Sequence, residues 1–357
     1  MTDSSLEKFV EEVSGNEFLR VQDDLGFGYV RLKAAEAQRR QAKQDIRCFE
    51  NVVIEMLRNS RDAHAHMIFL ASWTEGSRRF LTMLDDGDGI PESMHETVFE
   101  PFVTSKLDSF RSDRWGVHGR GMALYSIRQN VEQVKVLVSE PGLGSVFSVI
   151  NDSSELPEKR DQSTLPSITL NEEGKTLLRG PHNIVRTALE FAIDERESVV
   201  VFYGSAAEIV STLYWMGKGA LGKLEGNAAT EEGEPYVHRF ARCSDASELA
   251  ALSQSLGLPL STRTAYRIMA NQVKPLKTVL ESVLGDVAAN RQQQNDKKPA
   301  SKRASVRIAA EDLEPLKQSV AGSFAAIAES YYLDANPDID VSVKGSNLVV
   351  RIPLERI

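Results

Sequence analysis

Glu55, Asn59 and Asp62 stand four and then three residues apart in "IEMLRNSRDAHA", residues 54–65. Side chains in a helix advance by about 100° per residue, so these three share one narrow stripe while Val53, Met56 and Leu57 point the other way. Two carboxylates and an amide on one face suit hard-cation and phosphoryl chemistry. The amide oxygen of Asn59 is a ligand of the kind Mg2+ accepts, because that ion keeps most of its waters and takes one or two protein oxygens beside phosphate oxygens. Glu55, one turn away, can take a proton from a water lined up on phosphorus. Taken alone, the same stripe is the solvated face of a surface helix.

Two further stretches carry related chemistry. In "DDGDGIP" (85–91), Asp85 at a strand end can accept a hydrogen bond from an exocyclic amine such as that of adenine. Gly87 and Gly89 lack a β-carbon, so the backbone can turn sharply and a flat ligand can approach it; a plain Asp-Gly turn has the same residues. In "GVHGRGMALYSI" (116–127), Gly116, Gly119 and Gly121 precede a helix. Free N–H groups and the helix dipole there face an anion, as in phosphate cradles. Each motif is weak by itself, and their fixed order within about 70 residues is what gives them weight.

That order resembles the GHKL superfamily of gyrase B subunits, heat-shock-90-type chaperones, histidine kinases and mismatch-repair ATPases, over roughly residues 28–150. "EMLRNSRDA" (55–63) looks like its first box. The resemblance implies Asn59 as the Mg2+ ligand, Asp62 as a nucleotide-site position and, as in the hydrolytic branches, Glu55 as the general base. It implies Asp85 as the reader of the adenine amine, with Gly87, Gly89 and Ile90 completing the second box. Gly116, Gly119, Arg120, Gly121 and Met122 look like the third box, which closes over the triphosphate. Arg120 departs from the leucine usual in histidine kinases. "TSK" (104–106) adds Thr104 and Ser105, and Lys106 either meets the γ-phosphate or remains a surface lysine.

The implied fold is α+β: a Bergerat-type ATP-binding α/β sandwich with a mixed sheet. The implied ligands are ATP and Mg2+. "VFEPFVTSK" (98–106) and "SEPGLGSVFSVI" (139–150) resemble histidine kinases, whereas the leading glutamate, "TSK" and "RGMALYSI" resemble the hydrolases and the mismatch-repair branch. Residues 1–49 hold no histidine for self-phosphorylation. The expected activity is therefore ATP hydrolysis driving a conformational switch on a protein partner. The alternatives are a kinase passing the γ-phosphate to a protein in trans, and an ATP-sensing module for protein or DNA that barely turns over. Many family members dimerise with ATP, so a homodimer is a further expectation.

The elements that must position these residues follow from pattern. An acidic arm covers 1–27, with a helix around 5–13. "FGYVRL" (27–32) reads as a strand, and 33–64 as helices with a break near Asp45. Two apolar runs around Glu75-Gly76-Ser77 read as a hairpin. Residues 93–102 read as a helix, 107–119 as a mobile loop, 122–132 as a helix, and 134–140 and 145–150 as strands. The ATP-binding domain is thus expected over 28–152, and the polar, proline-bearing stretch 151–166 as a boundary. Residues 167–289 read as a second α/β domain, with strands at 198–204 and 235–242. A basic linker follows at 290–306, and a small C-terminal α+β unit at 307–357. The helices around Gly257 (247–269) read as an ordinary pair or as a helix-turn-helix with Arg263 and Arg267 toward DNA; the ordinary pair is preferred.

Composition bounds the rest. The chain has 357 residues and a net charge of −9, which speaks against a protein coated in nucleic acid. Cys48 and Cys243 lack disulfide or metal spacing. No apolar run suits a signal peptide or a membrane span, so the expected location is the cytoplasm.

Overall fold

Ile68 and Leu70 face one side of their strand and Phe69 and Ala71 the other, and all four are buried. A strand that is apolar on both faces needs cover on both. The computed structural model describes residues 21–32, 44–105, 111–113, 116–118, 121–159, 161–170, 176–221, 233–283, 310–331, 334, 336–344 and 347–354. It supplies both covers.

Strands β1 (Val21–Gly26) and β2 (Tyr29–Leu32) form a hairpin extended by β5 (Val103–Thr104). Strands β6 (Arg111–Asp113) and β7 (Gly116–His118) make a short ribbon, as do β10 (Ser167–Leu170) and β11 (Thr176–Arg179). The central sheet contains β3 (Met67–Glu75), β4 (Arg78–Asp85), β8 (Gln133–Glu140), β9 (Gly144–Asp152) and β12 (Val200–Gly204), in the order β12-β3-β4-β9-β8. Four of its strands run antiparallel to their neighbours. The fifth, β12, pairs in parallel with β3, with Val200 opposite Met67 and Gly204 opposite Ala71. The sheet is therefore mixed.

One face packs on helices α1 (Phe49–Asp62), α2 (Ala123–Asn130) and α3 (Ile184–Asp194). The other packs on α4 (Ala206–Leu221), α5 (Tyr236–Arg239), α6 (Ala246–Ser255) and α7 (Thr262–Met269). Phe69 and Phe202 stack across the parallel pair with centroids 4.9 Å apart, which ties β12 to β3 through side chains as well as backbone.

The chain divides into two compact units, Met1–Ala288 and Ala289–Ile357. The boundary expected at 151–166 is instead a structured strap inside the first unit. Glu158 grips Arg79 of β4 with two hydrogen bonds of 2.7 Å. The backbone N–H of Lys159 and the amide of Gln162 donate to the buried carboxylate of Glu50 on α1. Residues expected as a separate domain thus contribute a strand to the same sheet and a helix, α3, to the same layer as α1. Within the second unit α8 (Ala310–Tyr331) packs on β13 (Asp340–Lys344), which pairs antiparallel with β14 (Asn347–Arg351).

Other expectations are corrected locally. Part of the arm, Val21–Gly26, is strand. Residues 93–102 hold two short 3-10 turns, Glu92–Met94 and Thr97–Phe99, rather than one helix. Residues 235–242 are helical, not extended: Pro235 precedes α5, and Phe240–Arg242 continues it as a 3-10 turn. The expected loop 107–119 includes the β6–β7 ribbon. The helix at 5–13, the linker 290–306 and the site candidates Lys106, Gly119 and Arg120 lie outside the described residues. Among the described residues no helix is long and apolar enough to cross a membrane.

Candidate functional site

Helix α1 begins where Asn51 accepts the backbone N–H of Cys48 at 3.2 Å, the reciprocal half of a capping box. Phe49, Val52, Val53, Met56 and Leu57 are wholly buried against the sheet. Glu55, Asn59 and Asp62 lie on the helix's other side as partly buried residues, with the Asp62 carboxylate itself nearly buried. The spacing has therefore done what helical geometry requires: the apolar face anchors the helix and the polar stripe lines its open edge.

The three side chains are held differently. Glu55 accepts a hydrogen bond of 2.7 Å from the buried guanidinium of Arg58, one turn along the helix. Asp62 is paired with its neighbour Arg61 at 2.9 Å, and Arg61 reaches Glu195 beyond the end of α3 at 2.8 Å. Burial works against the charge on Arg61, but Glu195 and Asp62 outweigh it and hold the guanidinium charged more firmly than usual. Arg61, held by Asp62, thus fastens α1 to the end of α3.

Asp85 ends β4 and is buried. Its Oδ2 accepts the hydroxyl of Ser60 at 2.7 Å, and its Oδ1 accepts the backbone N–H of Gly87 at 3.0 Å. Burying a carboxylate is costly unless it is hydrogen-bonded, so these partners are what keep Asp85 at the strand end. Ser60 faces the sheet, one position after Asn59, and is a site residue that helical counting on the polar stripe misses. The signal that could have found it is the strand end of Asp85 opposite α1.

The glycines of the Asp-Gly loop serve close packing of backbone on backbone. A β-carbon on Gly87 would stand 2.5 Å from the carbonyl oxygen of Ala63 at the end of α1. Gly89 has a φ of +73°, and a β-carbon there would stand 1.9 Å from the carbonyl oxygen of Glu140. The loop is stitched on both sides. Asp88 N–H donates to Ala63 O at 2.8 Å, and Gly142 N–H donates to Asp88 O at 2.7 Å. Ile90 N–H donates to Ser139 Oγ at 2.7 Å, and that hydroxyl donates to Gly144 O at 2.9 Å. The site loop is thus interleaved with the β8–β9 turn. Tyr236 on α5 braces that turn from behind: its N–H donates to Leu143 O and its hydroxyl to Glu140 Oε1 at 2.9 Å.

The third motif is partly described. Gly116 opens β7. Gly121, with φ +64°, packs its α-carbon against the Phe102–Val103 backbone and accepts Phe102 N–H at 2.9 Å. Met122 caps α2 and packs with Val30, Leu32 and Phe102. Thr104 is buried in β5 and Ser105 is exposed beside it. Tyr29, which hydrogen-bonds Ser105, has its phenol pushed up from its ordinary value by burial. Strand β5 therefore joins the glycine motif to the β1–β2 hairpin.

As a test of fit for Mg2+, the donor set is one amide oxygen and nearby carboxylates. Among the described residues there is no cluster of three or more His, Cys, Asp or Glu side chains that could cage a metal. That set fits an ion held mainly by phosphate oxygens and water with one protein oxygen.

Known proteins resemble this chain in part. Residues 44–154 match the family model "Histidine kinase-, DNA gyrase B-, and HSP90-like ATPase". The chain is 39% identical over 80 residues to the DNA mismatch repair protein MutL of Thermus thermophilus, and 40% identical over 81 residues to that of Thermus aquaticus. It is 39% identical over 80 residues to that of Lactiplantibacillus plantarum. Each match covers 22% of this chain but only 12–15% of the relative. The match to the ATPase family model thus spans the part that holds α1, the Asp-Gly loop and the glycine motif, and in that part the chain is similar to this family.

Proposed function

We propose that the protein is a Mg2+-dependent ATPase whose nucleotide state sets the conformation it presents to a protein partner. The observation that carries this reading is the placement of Asp85: a buried carboxylate at a strand end, oriented by Ser60 and Gly87, beside the α1 stripe. In this reading Asp85 accepts the adenine amine, and the Asp-Gly loop with Ile90 bounds the base. Thr104, Ser105 and the 116–122 motif bound the phosphates. Asn59 holds Mg2+, which when bound neutralises phosphate charge and orients the terminal phosphoryl group. Glu55 orients and deprotonates the attacking water. Arg58 sets the direction of the Glu55 carboxylate.

The same contacts support the switch. Asp62, at the end of the stripe, is bound to Arg61, and Arg61 to Glu195. A shift of α1 on nucleotide binding reaches α3 through the pair of buried Arg61 with part-exposed Glu195, and breaking it would leave a buried guanidinium short of a partner. The named relatives are mismatch repair proteins, and the match covers too little of them to carry that role over; the shared part supports the nucleotide-driven step.

Phosphate release from ATP tests the reading. Glu55→Ala is expected to lower turnover by about 10²-fold or more while ATP still binds. Label appearing on an added protein rather than as free phosphate would replace hydrolysis with transfer, and turnover unchanged by Glu55→Ala would remove that residue from its role.

A further inference from the structure

From Leu249 to Leu280 the chain holds no aspartate or glutamate, although the whole protein carries a net charge of −9. The stretch holds Arg263, Arg267, Lys274 and Lys277, and all four are exposed. Among the described residues no carboxylate pairs with any of them. Tyr266, 63% exposed, lies between the two arginines on α7. Positions three and four apart share a helix face, so Arg263, Tyr266 and Arg267 form one patch.

This face is presented rigidly. Ser261 caps α7 by accepting Thr264 N–H, while Ala265 and Ile268 are buried beneath it. The indole N–H of Trp215 on α4 donates to Ile268 O at 3.0 Å. Thr82 of β4 donates to Gly257 O at 2.6 Å, which pins the α6–α7 junction to the sheet. The apolar residues of the stretch, Leu260, Met269, Val273 and Leu276, pack on the core. Outside, beside the aromatic ring and the cations, lie polar Ser261, Thr262, Asn271 and Gln272, with Ala270 and Pro275 as the small apolar neighbours. A protein-binding patch is expected to have an apolar centre. A surface for nucleic acid is polar and strongly positive, and an exposed ring there serves as a stacking platform.

We propose that the outer face of α7 binds a single strand of nucleic acid, with Arg263 and Arg267 on successive phosphates and Tyr266 stacked on a base. The two arginines stand one turn apart, about 6 Å along the axis, a spacing that suits neighbouring phosphates of one strand. Lys274 and Lys277 extend the positive track past the end of the helix. The surface lies outside residues 44–154 and does not depend on the nucleotide site.

The test is fluorescence anisotropy of a labelled oligothymidine of about 20 nucleotides, longer than an ordinary single-domain site, with the full chain. Binding is expected to weaken steeply with salt. The double variant Arg263→Ala/Arg267→Ala is expected to weaken it about tenfold or more at low salt. It should also flatten the log–log salt slope by about 1.4, since each phosphate contact on a single strand contributes about 0.7. Tyr266→Ala is expected to weaken binding about tenfold without changing the slope, and Tyr266→Phe to restore it. Unchanged melting temperatures would show that the variants are folded. Absence of binding at low salt, or a double variant with unchanged affinity and slope, would overturn the proposal. So would polyglutamate competing as well as the oligonucleotide while Tyr266→Ala has no effect, which would assign the face to an acidic protein.

Discussion

The two halves of the large unit bury different chemistry. Among the described residues the buried charged residues are Glu50, Arg58, Arg61 and Asp85, joined by the nearly buried carboxylate of Asp62, and all lie on α1 or at the end of β4. After residue 154 the buried polar side chains are Asn183, Thr187, Ser211, Thr212 and Ser253, all neutral. Those side chains close backbone groups. Thr187 and Ser253 donate to carbonyls four residues earlier in their own helices, and Ser211 donates to Val273 O. A buried charge costs several times what a buried hydroxyl costs unless it is paired. The first region therefore spends stability on orienting charge, and the second provides the strand and helices that keep that arrangement rigid.

That difference can be broken by removing the cover. A chain ending at residue 166 loses β12, α3 and the whole α4–α7 layer, which exposes Phe69, Ala71, Leu84 and Val146 on one sheet face. It is expected not to fold, shown by loss of a cooperative thermal transition in circular dichroism. A truncated chain that melts cooperatively would mean two separable domains. Phe202→Ala removes the ring stacked on Phe69 and is expected to cost about 3–5 kcal/mol. Its effect should appear as one lowered transition in denaturant unfolding, not as the loss of a second, independent one.

Smaller changes sharpen the comparison on the side of the site. Ser60→Ala leaves buried Asp85 without its hydroxyl partner and is expected to cost about 2 kcal/mol, read by urea unfolding. Ser253→Ala removes a hydroxyl that, among the described residues, is bonded to Leu249 O of its own helix, and should cost distinctly less. The pH dependence comes last. Burial, and then the bond to Glu140, push the Tyr236 phenol up to about 12, against about 10 in an unfolded chain. The native state thus keeps a proton that the unfolded state gives up. This contribution is fully present below about pH 10 and is lost as pH rises toward 12. Thermal melts from pH 9 to 12, sampled at about half-unit steps, should fall less steeply for Tyr236→Phe than for the parent chain.

Much of the first region was legible in the sequence. The Glu55–Asn59–Asp62 stripe, the hairpin at Gly76 and the strands of β8 and β9 follow from periodicity and turn residues acting over short distances. The parallel pairing of β12 was not legible. "SVVVFYG" is plainly a strand, but local pattern does not say which sheet a doubly buried strand joins. The stretch 151–166 reads as a linker because its residues are polar, yet Glu158 and Gln162 direct that polarity to Arg79 and Glu50. Residues 235–242 read as extended, and α5 is set by Pro235 before it and by the β8–β9 turn it braces. The glycines of the Asp-Gly loop read as room for a ligand; the structure adds that their β-carbon positions are taken by the carbonyls of Ala63 and Glu140.

The central claim is that a buried aspartate beside a carboxylate–amide helix makes an ATP site. Titration calorimetry of the full chain with ATP and Mg2+ tests it most directly, with Asp85→Asn in parallel. The account expects saturable binding by the parent chain, and affinity at least about tenfold weaker in Asp85→Asn, because a hydrogen bond to a charged acceptor is worth about 1.5–3 kcal/mol. No heat with the parent chain, or equal affinity in the variant, would contradict it.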